Sequence, residues 1–121
     1  MAQFVTDALL TRLLVLTQAG LTHIGVQNGS EVTESATQLN GEFARKEIID
    51  SLVEGNTLIA EAYFSETEGN GTITGFGIFG NGATNALNSG TLMATTSALF
   101  DKTTDESLTL SAEITLRRTT T

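Results

Sequence analysis

The run Asn70-Gly71-Thr72-Ile73-Thr74-Gly75-Phe76-Gly77-Ile78-Phe79 decides how the rest of the chain is read, because it is the most apolar and glycine-punctuated stretch of the second half. Its alternation sets Thr72, Thr74, Phe76 and Ile78 on one face and Ile73, Gly75, Gly77 and Phe79 on the other, which is the period of a strand. It reads as a central strand. Glycine inside a strand marks a bulge or a close approach of another segment. Gly75 and Gly77 are therefore expected to lie under something tightly packed, and the N-terminal helix is the expected cover.

The same run holds Gly75-Phe76-Gly77-Ile78-Phe79-Gly80, a literal match to the dinucleotide-binding fingerprint. That chemistry needs its glycines in a strand-to-helix turn, so that helix amides face a pyrophosphate. Here the glycines lie within the apolar run, and Asn81 to Gly90 is a loop with no room for a helix. No nucleotide or other cofactor is expected.

Downstream, Thr91 to Ala98 reads as a further strand, and the last strand is the clearest in the chain. Leu108, Leu110, Ala112, Ile114 and Leu116 alternate with Thr109, Ser111, Glu113 and Thr115, one face buried and one wet. Upstream, Phe43 to Val53 and Thr57 to Phe64 read as the arms of a hairpin across Glu54-Gly55-Asn56. A helix over Ala44 to Asp50 would also satisfy the period of the first arm, and the hairpin context favours strand. Arg45 and Lys46 beside Glu42 and Glu47 read as a solvated charge cluster. Leu21 to Gln27 is a short strand closed by the turn Asn28-Gly29-Ser30, and the polar stretch Glu31 to Gly41 is a surface loop. Asn28-Gly29-Ser30 and Asn70-Gly71-Thr72 match the glycosylation sequon but read as turns.

From Phe4 to Gln18 the pattern is helical, with Val5, Leu9, Leu13 and Leu16 on one stripe and Ala8, Leu10 and Leu14 widening it. Thr6 or Asp7 caps the start, and Gly20 ends it where a left-handed residue is wanted. A stripe this broad either faces the core or is shared between the core and another subunit, which makes Val5, Leu9, Leu13 and Leu16 the candidate interface. Taken together, the chain is expected to be one mainly-β domain, a helix over about 4–18 followed by an antiparallel β-sandwich over about 21–117.

Composition narrows the function more by exclusion than by naming. Fourteen acidic against six basic residues give a formal net charge of −8, a field that repels phosphate and argues against nucleic acid and anionic membranes. With no cysteine, disulfides, thiolate metal sites and cysteine nucleophiles are all excluded. The apolar run from Ala8 to Leu16 is broken by Thr11 and Arg12, so neither a signal peptide nor a membrane span is expected. His23 has no second histidine to share a metal with. The acidic stretches Ser65 to Gly71 and Asp101 to Glu106 lack the spacing of a calcium loop. No Gly-x-Ser-x-Gly elbow occurs, Ser89 sits in an ordinary turn, and the carboxylate pairs Glu66 with Glu68 and Asp105 with Glu106 meet no wider catalytic pattern. The chain is expected not to be an enzyme.

One succession of short motifs is informative beyond composition. Glu42-x-x-Arg45, Asn56-x-Leu58-Ile59-Ala60-Glu61, Glu68-Gly69-Asn70-Gly71-Thr72-Ile73, Gly77-Ile78-Phe79, Gly90-Thr91-Leu92-Met93-Ala94, Lys102-Thr103 and a final alternating strand resemble small tailed-phage structural domains of the tail-collar fibre and baseplate-attached type. The resemblance runs from about Leu13 onward. It departs from that family at Phe76, where an acidic residue often precedes the Gly-Leu-Phe-like triplet, and in stopping at Thr121, where fibres continue into a shaft. What it implies is a virion protein assembled in the host cytoplasm: an attachment domain, or a free-standing adaptor, tail or head decoration component. It would associate with itself as a trimer or hexamer and dock on other tail or baseplate proteins. A carbohydrate- or receptor-binding sandwich is the alternative, with Tyr63 the single tyrosine available to stack on a sugar.

Overall fold

The computed structural model describes residues 6–117, so Val5 of the candidate stripe and Arg118 to Thr121 of the tail lie outside the described residues. Helix α1 spans Asp7–Gly20, with Thr6 as its N-cap accepting from the Leu9 amide. Its end differs from expectation. Gly20 is not among the residues of positive φ; the chain passes directly into extended Leu21, whose N–H donates to the Gln18 carbonyl. A helix that continues straight into a strand needs no left-handed reversal.

The strands are β1 (Leu21–Gln27), β2 (Glu42–Glu47), β3 (Asp50–Glu54), β4 (Thr57–Phe64), β5 (Gly71–Gly80), β6 (Thr91–Lys102) and β7 (Leu108–Thr115). They form a four-stranded sheet in the order β2-β1-β5-β6 and a three-stranded sheet in the order β3-β4-β7. Every pairing is antiparallel, and the two sheets pack as the expected sandwich. Between them lie Leu14, Ile24, Val26, Leu58, Phe64 and Ile78, all essentially without exposed surface. In β7, Leu110 faces this core and Glu113 the solvent, as the alternation requires.

The segment Phe43 to Val53 is not one hairpin arm. It breaks at Ile48-Ile49, so that β2 pairs with β1 in one sheet and only β3 pairs with β4 in the other. Ile48 and Ile49 donate their amides to opposite sheets, to the carbonyls of Thr22 and Glu61. Strand β6 is also longer than expected, running on through Leu99, Phe100 and Asp101 to Lys102.

Strand β5 is central, flanked by β1 and β6, and the glycine fingerprint lies wholly within it. Its alternation sends Phe76 and Ile78 to the main core and Phe79 to a second cluster with Leu39 and Leu92 on the other face of the sheet. The glycines do sit under close neighbours. A Cβ on Gly77 would come 2.5 Å from Leu92 Cδ1 and 3.1 Å from Leu39 Cδ2, and one on Gly75 would come 2.8 Å from the Thr96 carbonyl oxygen and 3.1 Å from Gln27 Nε2. The cover is thus the 28–41 loop, Gln27 at the end of β1 and strand β6, not helix α1 as expected.

Helix α1 packs instead against β3, β4 and β1, bridging the two sheets on one side of the sandwich. Leu10 and Leu14 are its buried residues, and the helix is tied down by Thr11 Oγ1 donating to the Gly55 carbonyl and Gln18 Nε2 donating to Ser51 Oγ. On the opposite side no element among the described residues covers the junction. Edges β6 and β7 border an open groove of about 430 Å³ lined by Phe76, Ile78, Ala94, Ala98, Ala112 and Ile114.

Candidate interaction surfaces

The candidate stripe divides when the helix docks. Leu10 and Leu14, which only widened it in the sequence, are the residues that face the core. Leu9, Leu13 and Leu16 keep 43%, 44% and 56% of their surface, and Val15 beside them is also exposed. Spaced by four and three residues, Leu9, Leu13 and Leu16 share one face over successive turns. That is a solvent-facing apolar row on a helix whose other face is already satisfied.

A second surface is the β6 edge. From Thr91 to Phe100 it carries no charge, and Met93, Leu99 and Phe100 are exposed on it. The uncharged length of this stretch was readable in the sequence, but its position at a sheet edge was not.

Between these surfaces the 81–90 loop is held by a buried ion pair. The Arg45 guanidinium donates from Nε and Nη2 to the two oxygens of Glu42, both at 2.8 Å, with neither side chain exposed. Residues three apart in a regular strand point to opposite faces. Here the pairing of β2 with β1 slips between Val26↔Ala44 and Gln27↔Glu42, leaving Phe43 as an extra residue that returns Glu42 to the Arg45 side. Arg45 Nη1 then donates to the carbonyls of Thr84 and Ser89 and to Ser89 Oγ, while Glu42 Oε1 accepts the Asn88 amide. The expected solvated cluster is, at Arg45, a buried clamp. Ser89, read as an ordinary turn residue, completes the clamp by donating from Oγ to the Ala86 carbonyl.

Lys46 does remain partly exposed and pairs with Glu68 at 2.7 Å. That hydrogen bond, with another from the Ser65 amide, holds the Glu68 carboxyl at about 2, well below its ordinary value. Lys102 is buried with its ammonium on the Ser65 carbonyl and Asn70 Oδ1, closing the 65–70 turn. His23 is buried, Nδ1 bonded to Thr22 Oγ1 and Nε2 to Asn85 Oδ1. Glu106, in the turn after β6, accepts from the Thr103 amide. Glu68, Glu106 and His23 are thus engaged by different partners, Lys46, Thr103 and Asn85 in turn. Among the described residues no group of three or more His, Asp or Glu is arranged to hold a metal ion, and no helix is long and apolar enough to cross a membrane.

The chain matches no family model and no curated protein. The surfaces that bear on function are an apolar helix row, an uncharged strand edge beside an open groove, and a polar loop fixed from beneath.

Proposed function

We propose that this protein is a non-enzymatic structural component of a tailed-phage virion that associates with itself and docks on a tail, baseplate or fibre protein. The observation that carries the reading is the row Leu9, Leu13 and Leu16, exposed on a helix already anchored by Leu10 and Leu14. An exposed apolar row on a strongly acidic protein is the kind of surface a protein partner would cover, which supports this reading. The motif resemblance supplies the virion context and favours a trimer or hexamer. The clamped 81–90 loop supports the same reading, because a surface loop held by a buried ion pair presents Leu87 in a fixed position for a partner.

The test is the molar mass of the purified protein by light scattering across a wide concentration range, followed by pull-downs against tail, baseplate and fibre proteins of a tailed phage. A defined oligomer that captures one of them supports the reading. A monomer that captures none sinks it. The exposed side chain of Tyr63 supports a second reading, a glycan- or receptor-binding sandwich; glycan-array binding that is lost in Tyr63→Ala would favour it.

A further inference from the structure

Four asparagines precede a glycine in this chain: Asn28, Asn40, Asn70 and Asn81. Asparagine is a chemically labile residue, and it is most labile before glycine, where no side chain shields the following amide nitrogen from the carboxamide carbon. In an unfolded chain the four are alike. The fold separates them, because cyclisation needs a free glycine amide and a carboxamide able to swing toward it.

Three of the four are held. The Gly29 amide donates to the Asn40 carbonyl at 2.9 Å, so the nitrogen that follows Asn28 is engaged. Asn40 is pinned through Nδ2, which donates to the Ser30 carbonyl and to Ser30 Oγ. Asn70 is held at both ends of its carboxamide: Oδ1 accepts from the buried Lys102 ammonium at 2.8 Å, and Nδ2 donates to the Glu66 carbonyl at 3.0 Å. Gly71 after it opens β5, in register with Lys102.

Asn81 differs in each respect. Asn81 and Gly82 are both exposed, and both have left-handed backbones, with φ of 51° and 87°. Among the described residues the Asn81 carboxamide makes one hydrogen bond, from Nδ2 to Thr91 Oγ1 at 3.2 Å, and nothing accepts from the Gly82 amide. The space beside Gly82 is open, since a Cβ there would meet nothing within 4 Å. The pair also lies outside the Arg45 clamp, which reaches the loop at Thr84, Asn88 and Ser89. It is the loosely held link between central strand β5, which ends at Gly80, and a loop fixed from beneath.

We infer that Asn81 is a site of spontaneous covalent modification, attacked by its own backbone. The Gly82 amide nitrogen bonds to Asn81 Cγ, the Cγ–Nδ2 bond breaks, and Nδ2 leaves as ammonia with the proton that the Gly82 nitrogen gives up. The product is a cyclic imide. Water then adds to one of its two carbonyls and opens the ring, to aspartate or to isoaspartate. Each event makes a net charge of −8 one unit more negative, and the isoaspartate route inserts Cβ into the main chain at the root of the 81–90 loop. The site thus acts as a chemical clock on that loop, and it operates in a single chain whether or not the protein assembles.

The experiment ages the purified full chain slightly above neutral pH, folded in one sample and in guanidinium chloride in the other. Peptides are then read by mass spectrometry with electron-transfer fragmentation, which tells isoaspartate from aspartate. In the folded protein the mass gain of amide-to-acid conversion should appear first at Asn81. It should run at least about tenfold faster there than at Asn28, Asn40 or Asn70, because each hydrogen bond that must open first adds protection. In the denatured sample all four should react at comparable rates. Asn81→Gly, which suits the positive φ, should remove the early acidic species on ion exchange while circular dichroism shows the fold unchanged. Conversion of Asn28, Asn40 or Asn70 as fast as Asn81 in the folded protein overturns the inference. So does an Asn81 that stays intact while the denatured chain converts, since the loop would then restrain it as firmly as the other three.

Discussion

The Arg45 guanidinium lies 4.2 Å from the centroid of the Phe79 ring while its other edge is bound to Glu42. One side chain thus joins three layers: the fully buried aromatic of central strand β5, a carboxylate brought round by a bulge in β2, and the carbonyls of the 81–90 loop. A desolvated cation over an aromatic face contributes about 2 kcal/mol, and the charged hydrogen bonds add to it. The loop has no regular secondary structure of its own, so its position depends on this contact together with the hydrogen bonds of His23 to Asn85 and of Gln38 to Asn88.

Replacing Arg45 by Met should therefore cost about 3–5 kcal/mol, because it strands Glu42 without a countercharge in the interior. The double variant Arg45→Met/Glu42→Gln should recover part of that loss. In both, amide exchange should rise from Ala83 to Ser89 before it rises in β1 and β5. Chemical denaturation gives the first quantity and hydrogen exchange the second; a destabilised variant with the loop still protected would show that something else holds it.

That clamp also marks where the sequence stopped being legible. The alternation of β7 and the apolar face of β4 followed from period alone, because burial on one face forces the pattern; in β5 the period set Ile73 with Phe79, but a bulge between Ile73 and Gly75 turns Ile73 into the main core with Phe76 and Ile78. Phe43 as a bulge did not, since an extra residue changes which face Glu42 takes without changing any residue type. The break at Ile48-Ile49 was hidden for a related reason: two apolar residues between two strands look like the middle of one. Helix α1 was legible as a helix, but Leu9 and Leu10 are equally apolar, and only docking against β3 and β4 decides which row is buried. The close approach at Gly75 and Gly77 was legible too, while its source lay in the 28–41 loop, whose polar composition gave no hint that Leu39 turns inward.

Gly80 and Gly20 make a paired test of close approach. A Cβ on Gly80 would run into the Gly20 carbonyl oxygen, a backbone atom that cannot rotate away, whereas one on Gly20 meets nothing within 4 Å. Gly80→Ala should lower stability by about 1–3 kcal/mol through overpacking. Gly20→Ala, at the end of α1, should raise it by about 0.4–1 kcal/mol by restricting the unfolded chain. Thermal denaturation of the two variants beside wild type reads both signs, and equal effects would contradict the geometry at the α1-β1 junction.

Glu68 gives the pH dependence. Its carboxyl is held at about 2, chiefly by the Lys46 hydrogen bond and then by the Ser65 amide, against an ordinary value of 4.5. An acid whose folded pKa is depressed stabilises the native state fully above its ordinary pKa and loses that contribution as pH falls toward the folded one. The melting temperature of Glu68→Gln should lie below that of wild type at neutral pH. The gap should stay constant down to the ordinary carboxylate range and then shrink as pH falls through about 2, below which both proteins carry an uncharged group. A gap that does not narrow in this window would mean that the Lys46 pair contributes nothing to its stability.

The two rows of α1 can be separated by substitution, because neighbouring residues of a helix are turned about 100° from each other and so lie on different faces. Leu14 is 1% exposed within the main core, so Leu14→Ala should cost about 2–5 kcal/mol and act on folding. Leu13, one residue away and 44% exposed, should behave in the reverse sense: Leu13→Glu should leave the folding stability of the isolated chain within about 1 kcal/mol of wild type while removing the proposed oligomer. Leu9→Glu should do the same one turn earlier. Leu14→Ala should still assemble at temperatures where it is folded, since the outward row is intact. Light scattering and thermal denaturation on the same four proteins resolve the question. If Leu13→Glu unfolds the chain as readily as Leu14→Ala, the outward row belongs to the fold of the single chain. If it dissolves the oligomer and spares the fold, Leu9, Leu13 and Leu16 are an assembly surface.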